Sequence, residues 1–280
     1  MVDIQQAKSL ESSTSKSKAK SNSFWRIAED ISQSLSWILF ATSIALPILL
    51  WFLISRYAGI EPIFLPSPTN VIEALGRLWS KGYLTKDITS SFTRVTLGFL
   101  LSAIVAIPLG IMMGTFTSIR ALFEPIIGIV RYMPAPAFIP LLIIYLGIDE
   151  APKIALIFIG TVFFNVLMIM DSVKFVPRDL IETTYTLGGN RWQVLSQVIS
   201  PYIVPRIIDT FRVNMAASWN LVVVAELLAA TEGLGKRILL AQKFLKTDEI
   251  FACLIVLGLI GFAIDLFFRL LLRLTCKWAL

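Results

Sequence analysis

The chain has 280 residues, of which 56% are hydrophobic and only 16% are charged. Soluble domains carry roughly a quarter charged residues, so the deficit indicates an apolar environment around much of the surface. Histidine is absent, which excludes His-based hydrolytic and metal-dependent mechanisms. The net charge of +6 comes from Lys and Arg spread along the loops, a pattern typical of juxtamembrane charge rather than of a nucleic-acid surface. Composition therefore predicts an all-α integral membrane protein.

The N-terminal 23 residues are rich in Ser and Lys and too polar to pack in a core. We therefore predict a disordered tail over 1–23 and a transmembrane domain over 24–280. An apolar run without charges follows over 36–55, long enough to cross a bilayer and longer than the apolar region of a signal peptide. This run predicts the first of about six transmembrane helices.

Further apolar runs predict five more spans, and the clearest of them covers 95–119 between two arginines. Gly110 and Gly114 in this span have the spacing of a close helix contact on one face. The next span, from Arg131 to Ile148, contains three prolines that should kink it. The remaining spans are predicted at 154–170, 207–230 and 250–268. An even number of spans would place both termini on one side, which we expect to be the cytoplasm.

The loop over 171–206 combines several helix signals. Pro177 suits a first helical turn, and a Gly pair beginning at Gly188 suits a left-handed stop. Asn190 can then cap a second helix, which Pro201 should end. Two short helices that meet at a glycine corner would form a rigid protrusion.

This loop resembles a motif of ABC importer permeases, in which Glu-Ala-Ala is followed by a Gly, nine residues, an Ile and a Pro. The corresponding positions are Glu182, Thr183, Thr184, Gly188, Val198 and Pro201. Two threonines replace the alanines, so the likeness lies in the spacing and the key residues. It continues at 65–68, 91–99, 139–141, 147–150, 224–226 and 233–235.

These segments resemble the permease branch that serves sulfonates, taurine, nitrate and related small anions, and 147–150 is more similar to the sulfonate and taurine members than to the nitrate or bicarbonate ones. The resemblance implies a homodimer in a bacterial inner membrane, with its core at about 88–275. It also implies two ATPase subunits that bind ATP and Mg, and an extracytoplasmic binding protein. A helix of the loop would dock on the ATPase. The implied coupling residues are Arg178, Asp179, Glu182, Thr183, Thr184, Leu187, Gly188 and Arg191.

The chain lacks a convincing phosphate-binding loop of its own. The nearest match to G-x-x-x-x-G-K-[ST] covers 230–237, where Ala230 replaces the first Gly and Arg237 replaces the hydroxyl residue. We therefore expect ATP hydrolysis on a partner subunit, with no cofactor or metal bound by this chain and no enzymatic activity.

Four charged residues fall inside the predicted spans and need partners or water: Arg131, Asp209, Arg212 and Glu226. Asp209 and Arg212 are three residues apart and can pair on one helix face. We expect Glu226 either to pair across helices with Arg131 or to face the anion path from behind other residues.

For the path we select four neutral hydrogen-bonding residues, Asn165, Asn214, Ser218 and Asn220, and three apolar gate candidates, Met133, Phe164 and Trp219. Interhelical hydrogen bonds and ordinary packing are an open alternative for each of them. A gradient-driven secondary transporter or channel is the alternative for the whole chain. It predicts inverted repeats, which are not evident, and leaves the loop motif unexplained.

Overall fold

The computed structural model describes residues 31–279, apart from the side chains of residues 228, 229 and 279. The predicted tail over 1–23 lies outside this range. The chain divides into two compact units, Met1–Gly59 and Ile60–Leu280. The described part of the first unit is one helix, α1 (Gln33–Tyr57), whose N-terminus is capped by the hydroxyl of Ser32. This helix confirms the first predicted span, and it is apolar on all sides, as a helix in lipid is.

The second unit contains nine α-helices of eight or more residues in its described part. They are α2 (Pro68–Ser80), α3 (Tyr83–Thr115), α4 (Thr117–Val130), α5 (Ile139–Leu146), α6 (Ala151–Val173), α7 (Arg178–Thr186), α8 (Ser200–Ala229), α9 (Leu234–Lys243) and α10 (Thr247–Thr275). By length and apolar composition, α1, α3, α6 and α10 can cross a membrane, and the helical segments Thr117–Val130 and Ala135–Leu146 add a fifth span if they act as one. The predicted span at 207–230 coincides with most of α8, which is 30 residues long but carries four charged residues, Arg206, Asp209, Arg212 and Glu226.

The second predicted span has different ends in the structure. The sequence predicts it at 95–119, but α3 begins at Tyr83 and ends at Thr115. Its first turns contain Asp87 and Ser91, which precede the predicted span, and Arg94, which lies at its edge. These polar side chains are nevertheless buried, because each has partners on neighbouring segments.

The third span begins earlier in the structure than the sequence predicts. It does not begin at Arg131, since α4 already covers Thr117–Val130, and the chain then breaks before a 3₁₀ helix over Ala135–Phe138 and α5. The two halves are bent by 85°. Pro134 and Pro136 explain the break, because neither has the N–H that would continue the helix.

The most extensive contact of the second unit joins α3 to α6 along their length. Glycines make the close approach possible: a Cβ at Gly110 would lie 2.8 Å from the Ile169 Cβ, and one at Gly98 would lie 2.7 Å from the Ile157 Cβ. Gly114 meets Val173 in the same way. The predicted close contact at Gly110 and Gly114 is confirmed. With α8, these helices enclose a core that includes Met113, Val166, Ile169 and Ile203.

Candidate functional site: coupling loop, buried ion-pair cluster and polar interior

The loop after α6 forms the glycine-cornered helix pair that its sequence predicts. Pro177 precedes α7, and Gly188 stops the chain with a φ of +85°, in the left-handed region that glycine favours. The N–H of Gly189 donates to the carbonyl of Thr184 at 2.9 Å. Asn190 then caps the next helical turn in a capping box with Gln193.

The prediction that Pro201 ends this second helix is wrong. The turn Arg191–Gln193 continues through a π-helical stretch, Val194–Ile199, directly into α8. The backbone N–H of Ser200 donates to the Leu195 carbonyl, five residues earlier. This wider turn makes room for Pro201, which lacks an N–H and would clash with a regular helix at this position.

The loop over 171–206, which we call the coupling loop after its predicted role, is anchored on one side and exposed on the other. Val194 and Ile199 are buried in the core, while the side chains of Leu180, Tyr185 and Trp192 are exposed and Leu187 is 82% exposed. An exposed apolar surface on a firmly attached loop is typical of a docking site for another protein. Of the eight predicted coupling residues, seven are exposed and Thr184 is partly buried. The exposed residues are Arg178, Asp179, Glu182, Thr183, Leu187, Gly188 and Arg191.

At the other end of α6 lies a buried ion-pair cluster that sequence reasoning missed, which we call the Arg94 cluster. It consists of Asp87, Ser91, Arg94, Glu150, Glu226 and Arg237. Asp87, Ser91 and Arg94 follow each other at helical spacing on α3, so a polar stripe on one face was the signal available in the sequence. Because α6 is about 34 Å long at 1.5 Å per residue, this cluster and α7 lie at opposite ends of it.

Arg94 is the centre of this cluster and is only 3% exposed. Its guanidinium donates to Glu226 Oε1 at 2.7 Å, to Glu150 Oε1 at 2.8 Å and to the backbone carbonyl of Glu232 at 2.7 Å. One side chain thus connects α3, the loop before α6, α8 and the loop after α8. Arg94 also holds the pKa of Glu150 far below its ordinary value of 4.5, at about 2, mainly through these hydrogen bonds.

Glu226 is completely buried and fully engaged. Ser91 donates to its Oε1 at 2.7 Å, and the N–H of Gly235 donates to its Oε2 at 2.8 Å. Of the two expectations for Glu226, an ion pair across helices is the correct one, but the partner is Arg94 on α3. Arg131 was the expected partner because the sequence places Arg94 at the edge of a span.

The loop between α8 and α9 and the start of α9, which together contain the near match to a phosphate-binding motif, take part in the Arg94 cluster. The N–H of Gly233 donates to Asp87 at 2.9 Å, and the N–H of Gly235 donates to Glu226. Carboxylates of this chain therefore already accept the hydrogen bonds of these two amides. Gly233 has a φ of +131°, and a Cβ there would collide with the Glu226 carboxylate. The glycines therefore serve the Arg94 cluster.

The second pair of intramembrane charges is present as predicted. Arg212 lies 3.5 Å from Asp209 Oδ1, three residues earlier on α8. It also lies 3.6 Å from Asp265 on α10, which in turn accepts from Arg269 at 2.6 Å. Sequence reasoning missed Asp265, although its position in an apolar run was a signal.

The neutral residues chosen for the path divide into two groups. Asn165, Asn214 and Ser218 are buried: Asn165 donates to Ser102 at 2.9 Å and accepts from Asn214 at 2.7 Å, while Ser218 donates to the Asn214 carbonyl. These bonds join α3, α6 and α8 within one chain, which is the packing alternative stated above.

The remaining path candidates are placed differently. Met133, Phe164 and Asn220 are exposed on the surface of the single chain. Trp219 is buried, and its indole N–H donates to the Leu257 carbonyl at 3.0 Å. A cavity of about 510 Å³ between α8 and α10 is lined by Arg212, Trp219, Asn220, Gly258, Gly261 and Asp265, among others. Their role in a path stays a prediction.

Together these features define a helical integral membrane protein with a projecting helical loop at one end and a buried ion-pair cluster at the other, which is the design of a transport subunit. Residues 106–275 match the family of binding-protein-dependent transport system inner membrane components, and the chain belongs to this family. It is a permease subunit of an ABC importer, a transport component rather than an enzyme.

Two relatives illustrate the similarity. A probable ABC transporter permease protein of Brucella melitensis biotype 1 is 36% identical over 228 residues, covering 81% of this chain and 92% of its own length. The taurine transport system permease protein TauC of Escherichia coli (strain K12) is 32% identical over 259 residues, covering 91% of this chain and 92% of its own length.

The fold is also found in a solved transporter. A chain of the MetNI methionine ABC transporter in an inward-facing conformation matches with a TM-score of 0.62 at 16% identity, covering 68% of this chain and 95% of that chain. At this identity the likeness concerns the fold alone. Membership in the importer family implies, in general terms, an ATPase and a binding protein as partners.

Proposed function

We propose that two copies of this chain form the translocation path of an importer for a small organic sulfonate such as taurine, with nitrate or bicarbonate a weaker fit. The observation that carries the proposal is the taurine permease relative, which matches 91% of this chain at 32% identity. The resemblance of 147–150 to sulfonate and taurine permeases supports it further. A separate binding protein would deliver the solute and share in its selection.

The coupling loop would transmit the work of two ATPase subunits, which bind ATP and Mg. In the proposal, α7 inserts into a groove of the ATPase, where its exposed Leu180, Tyr185 and Leu187 supply apolar contact. Arg178 and Arg191 would pair with acidic groups around that contact. The capped glycine corner supports this role, because a rigid loop moves as one body when its partner moves.

We place the protein in a bacterial inner membrane with the coupling loop and both termini in the cytoplasm. The Arg94 cluster would then lie at the extracytoplasmic end, where the binding protein docks. The geometric support is that Glu150 precedes α6 and α7 follows it, so the two features face opposite sides if α6 spans the bilayer.

Uptake by the whole importer tests the proposed substrate. The chain would be reconstituted in liposomes with its ATPase and binding protein and supplied with labelled taurine, other sulfonates, nitrate, bicarbonate or an uncharged pyrimidine. We expect ATP-dependent uptake of sulfonates above all others. Uptake confined to the pyrimidine would reject the anion assignment, and uptake driven by an ion gradient without ATP would reject the importer mechanism.

A further inference from the structure

Arg131, at the end of α4, differs from three of the arginines on the long helices. Arg94, Arg212 and Arg269 each have a carboxylate within ion-pair distance. Among residues 31–279, no carboxylate lies within 4.0 Å of the Arg131 guanidinium, and its Nε has no hydrogen-bond partner although it is buried. Within the described part of the chain, the Arg131 guanidinium donates a hydrogen bond to the hydroxyl of Tyr132 at 3.0 Å.

Arg131 lacks a carboxylate partner in the described structure because the Arg94 cluster uses the carboxylate that the sequence suggested for it. Glu226 was the carboxylate that sequence reasoning offered to Arg131, and Arg94, Ser91 and Gly235 occupy it instead. Glu124, on α4, lies seven residues before Arg131, which is about 10 Å along the helix axis. The positive charge of Arg131 is therefore uncompensated within the described chain.

Its position along the membrane normal follows from the neighbouring contacts. A Cβ at Gly160 would lie 3.1 Å from the Ala135 Cβ, so the start of the 3₁₀ helix touches α6 at its tenth residue of 23. Arg131 is four residues before Ala135, at the break between α4 and α5. Both therefore lie near the middle of the bilayer if α6 spans it.

A broken helix and an unpaired cation at this depth have the same requirement. Broken backbone is tolerated in a membrane only where it is buried in protein or lines a watery cavity, and a charge is stable only beside a partner or water. Tyr132 is 76% exposed and Met133 50% exposed in the single chain, so protein of this chain does not enclose the break. Water and a passing solute satisfy both requirements.

We propose that Arg131 is an anion-binding residue of the translocation path, where its guanidinium, unpaired at the mid-membrane break between α4 and α5, coordinates the sulfonate oxygens of the solute. Five N–H donors in a planar fork match an oxyanion with several acceptor oxygens. This inference rests on the proposed function, since a homodimer would place one Arg131 from each copy at the path. The guanidinium lies 4.8 Å from the centre of the exposed Tyr132 ring, in a cation–π contact.

Uptake by variants of the reconstituted importer provides the first test. Removal of the charge in Arg131→Gln should lower taurine uptake about tenfold or more, because a hydrogen bond to a charged group is lost at a step the solute must pass. Arg131→Lys should restore part of it. Arg269→Gln, which removes an arginine paired on the surface of α10, is the matched control and should retain uptake.

A labelling experiment tests the site without transport. With Cys253 and Cys276, both buried, replaced by Ala, a single cysteine at Met133 would be treated with methanethiosulfonate reagents that carry either a sulfonate or a quaternary ammonium group. With Arg131 present, we expect faster labelling by the sulfonate reagent and slower labelling when taurine is added. Arg131→Gln should remove both effects.

The outcomes separate this inference from the proposed function. If the wild-type importer takes up no anion, the substrate proposal fails, and the charge preference of labelling at position 133 still decides the role of Arg131. If the wild type imports taurine but Arg131→Gln imports it equally and labels alike, the inference is wrong and the function stands. If Tyr132→Phe reproduces the whole loss of uptake, Arg131 acts only through the Tyr132 hydroxyl, which also overturns the inference.

Discussion

Arg94 and Glu226 form the most completely buried ion pair among the described residues, with side-chain exposures of 4% and 0%. Such a pair adds little net stability, but removal of one member leaves an uncompensated charge in an apolar interior. Here the loss of one member would weaken the contacts among all four segments that Arg94 joins. We therefore expect the Arg94 cluster to matter more for assembly of this end of the protein than for its choice of solute.

Glu226→Gln should lower the free energy of unfolding by about 3 kcal/mol, because Arg94 loses one of its two carboxylates. The measurement is thermal unfolding of the purified protein in detergent, together with the yield of assembled complex. Asp248→Asn is the control: it removes a carboxylate from a surface pair with Arg77 and should cost less than about 1 kcal/mol. Normal assembly of Glu226→Gln with an altered solute preference would contradict the structural role and favour a role in the path.

Gly188 offers a second test at a single residue. A Cβ there would meet nothing within 4 Å, so a larger side chain fits and only the φ of +85° opposes it. Gly188→Val should strain the corner by roughly 1–2 kcal/mol and abolish solute-stimulated ATPase activity in the reconstituted importer. Gly188→Asn should retain most of it, since Asn tolerates this conformation.

Gly76→Val, on α2, is a suitable control because it also meets open space but lies in regular helix. If Gly188→Val supports normal transport and stimulated ATPase activity, the corner has no part in coupling.

At the scale of elements, the contact between α3 and α6 holds the bundle together. Gly110→Ala would bring a methyl group to 2.8 Å from the Ile169 Cβ and 2.9 Å from the Val166 carbonyl, so the two helices must separate. We expect a loss of about 1–3 kcal/mol in thermal unfolding. The same substitution at Gly128, where nothing lies within 4 Å, should leave stability unchanged or raise it slightly. Equal effects at both positions would rule out close packing as the cause.

The spans that could be predicted from sequence are those whose surroundings are uniformly apolar. The run at 154–170 lies within α6, and the run at 250–268 lies within α10, because apolar runs of this length report membrane depth directly. The same rule failed at the first turns of α3, where Arg94 is buried by partners from distant parts of the chain. It also failed at α4, whose separation from α5 depends on where Pro134 stops the helix.

In the coupling loop, local sequence signals were sufficient to predict most of the structure. Its turn signals are local, and Pro177, Gly188 and Asn190 take the conformations that their side chains favour. Pro201 does not end the helix because the π-helical stretch before it accommodates a residue without a backbone N–H. No local sequence rule specifies this adjustment. The Arg94 cluster could not be assembled from sequence for a related reason: its members are up to 150 residues apart.

At the scale of the whole molecule, the proposed ATPase contact and the proposed solute entrance lie at opposite ends of α6. The coupling loop has an exposed apolar residue, Leu187, and the opposite end has exposed Trp79 on α2. Ser67 caps α2. These two positions allow the orientation and the docking to be tested together.

The most direct measurement is site-specific crosslinking to the ATPase in membranes that contain the whole importer. With Cys253 and Cys276 replaced by Ala, a single cysteine would be placed at Leu187 or at Trp79 and treated with a short bifunctional reagent. The proposed orientation predicts an adduct with the ATPase subunit from position 187 and none from position 79. An adduct from position 79, or none from position 187 in an importer that still hydrolyses ATP, would contradict it.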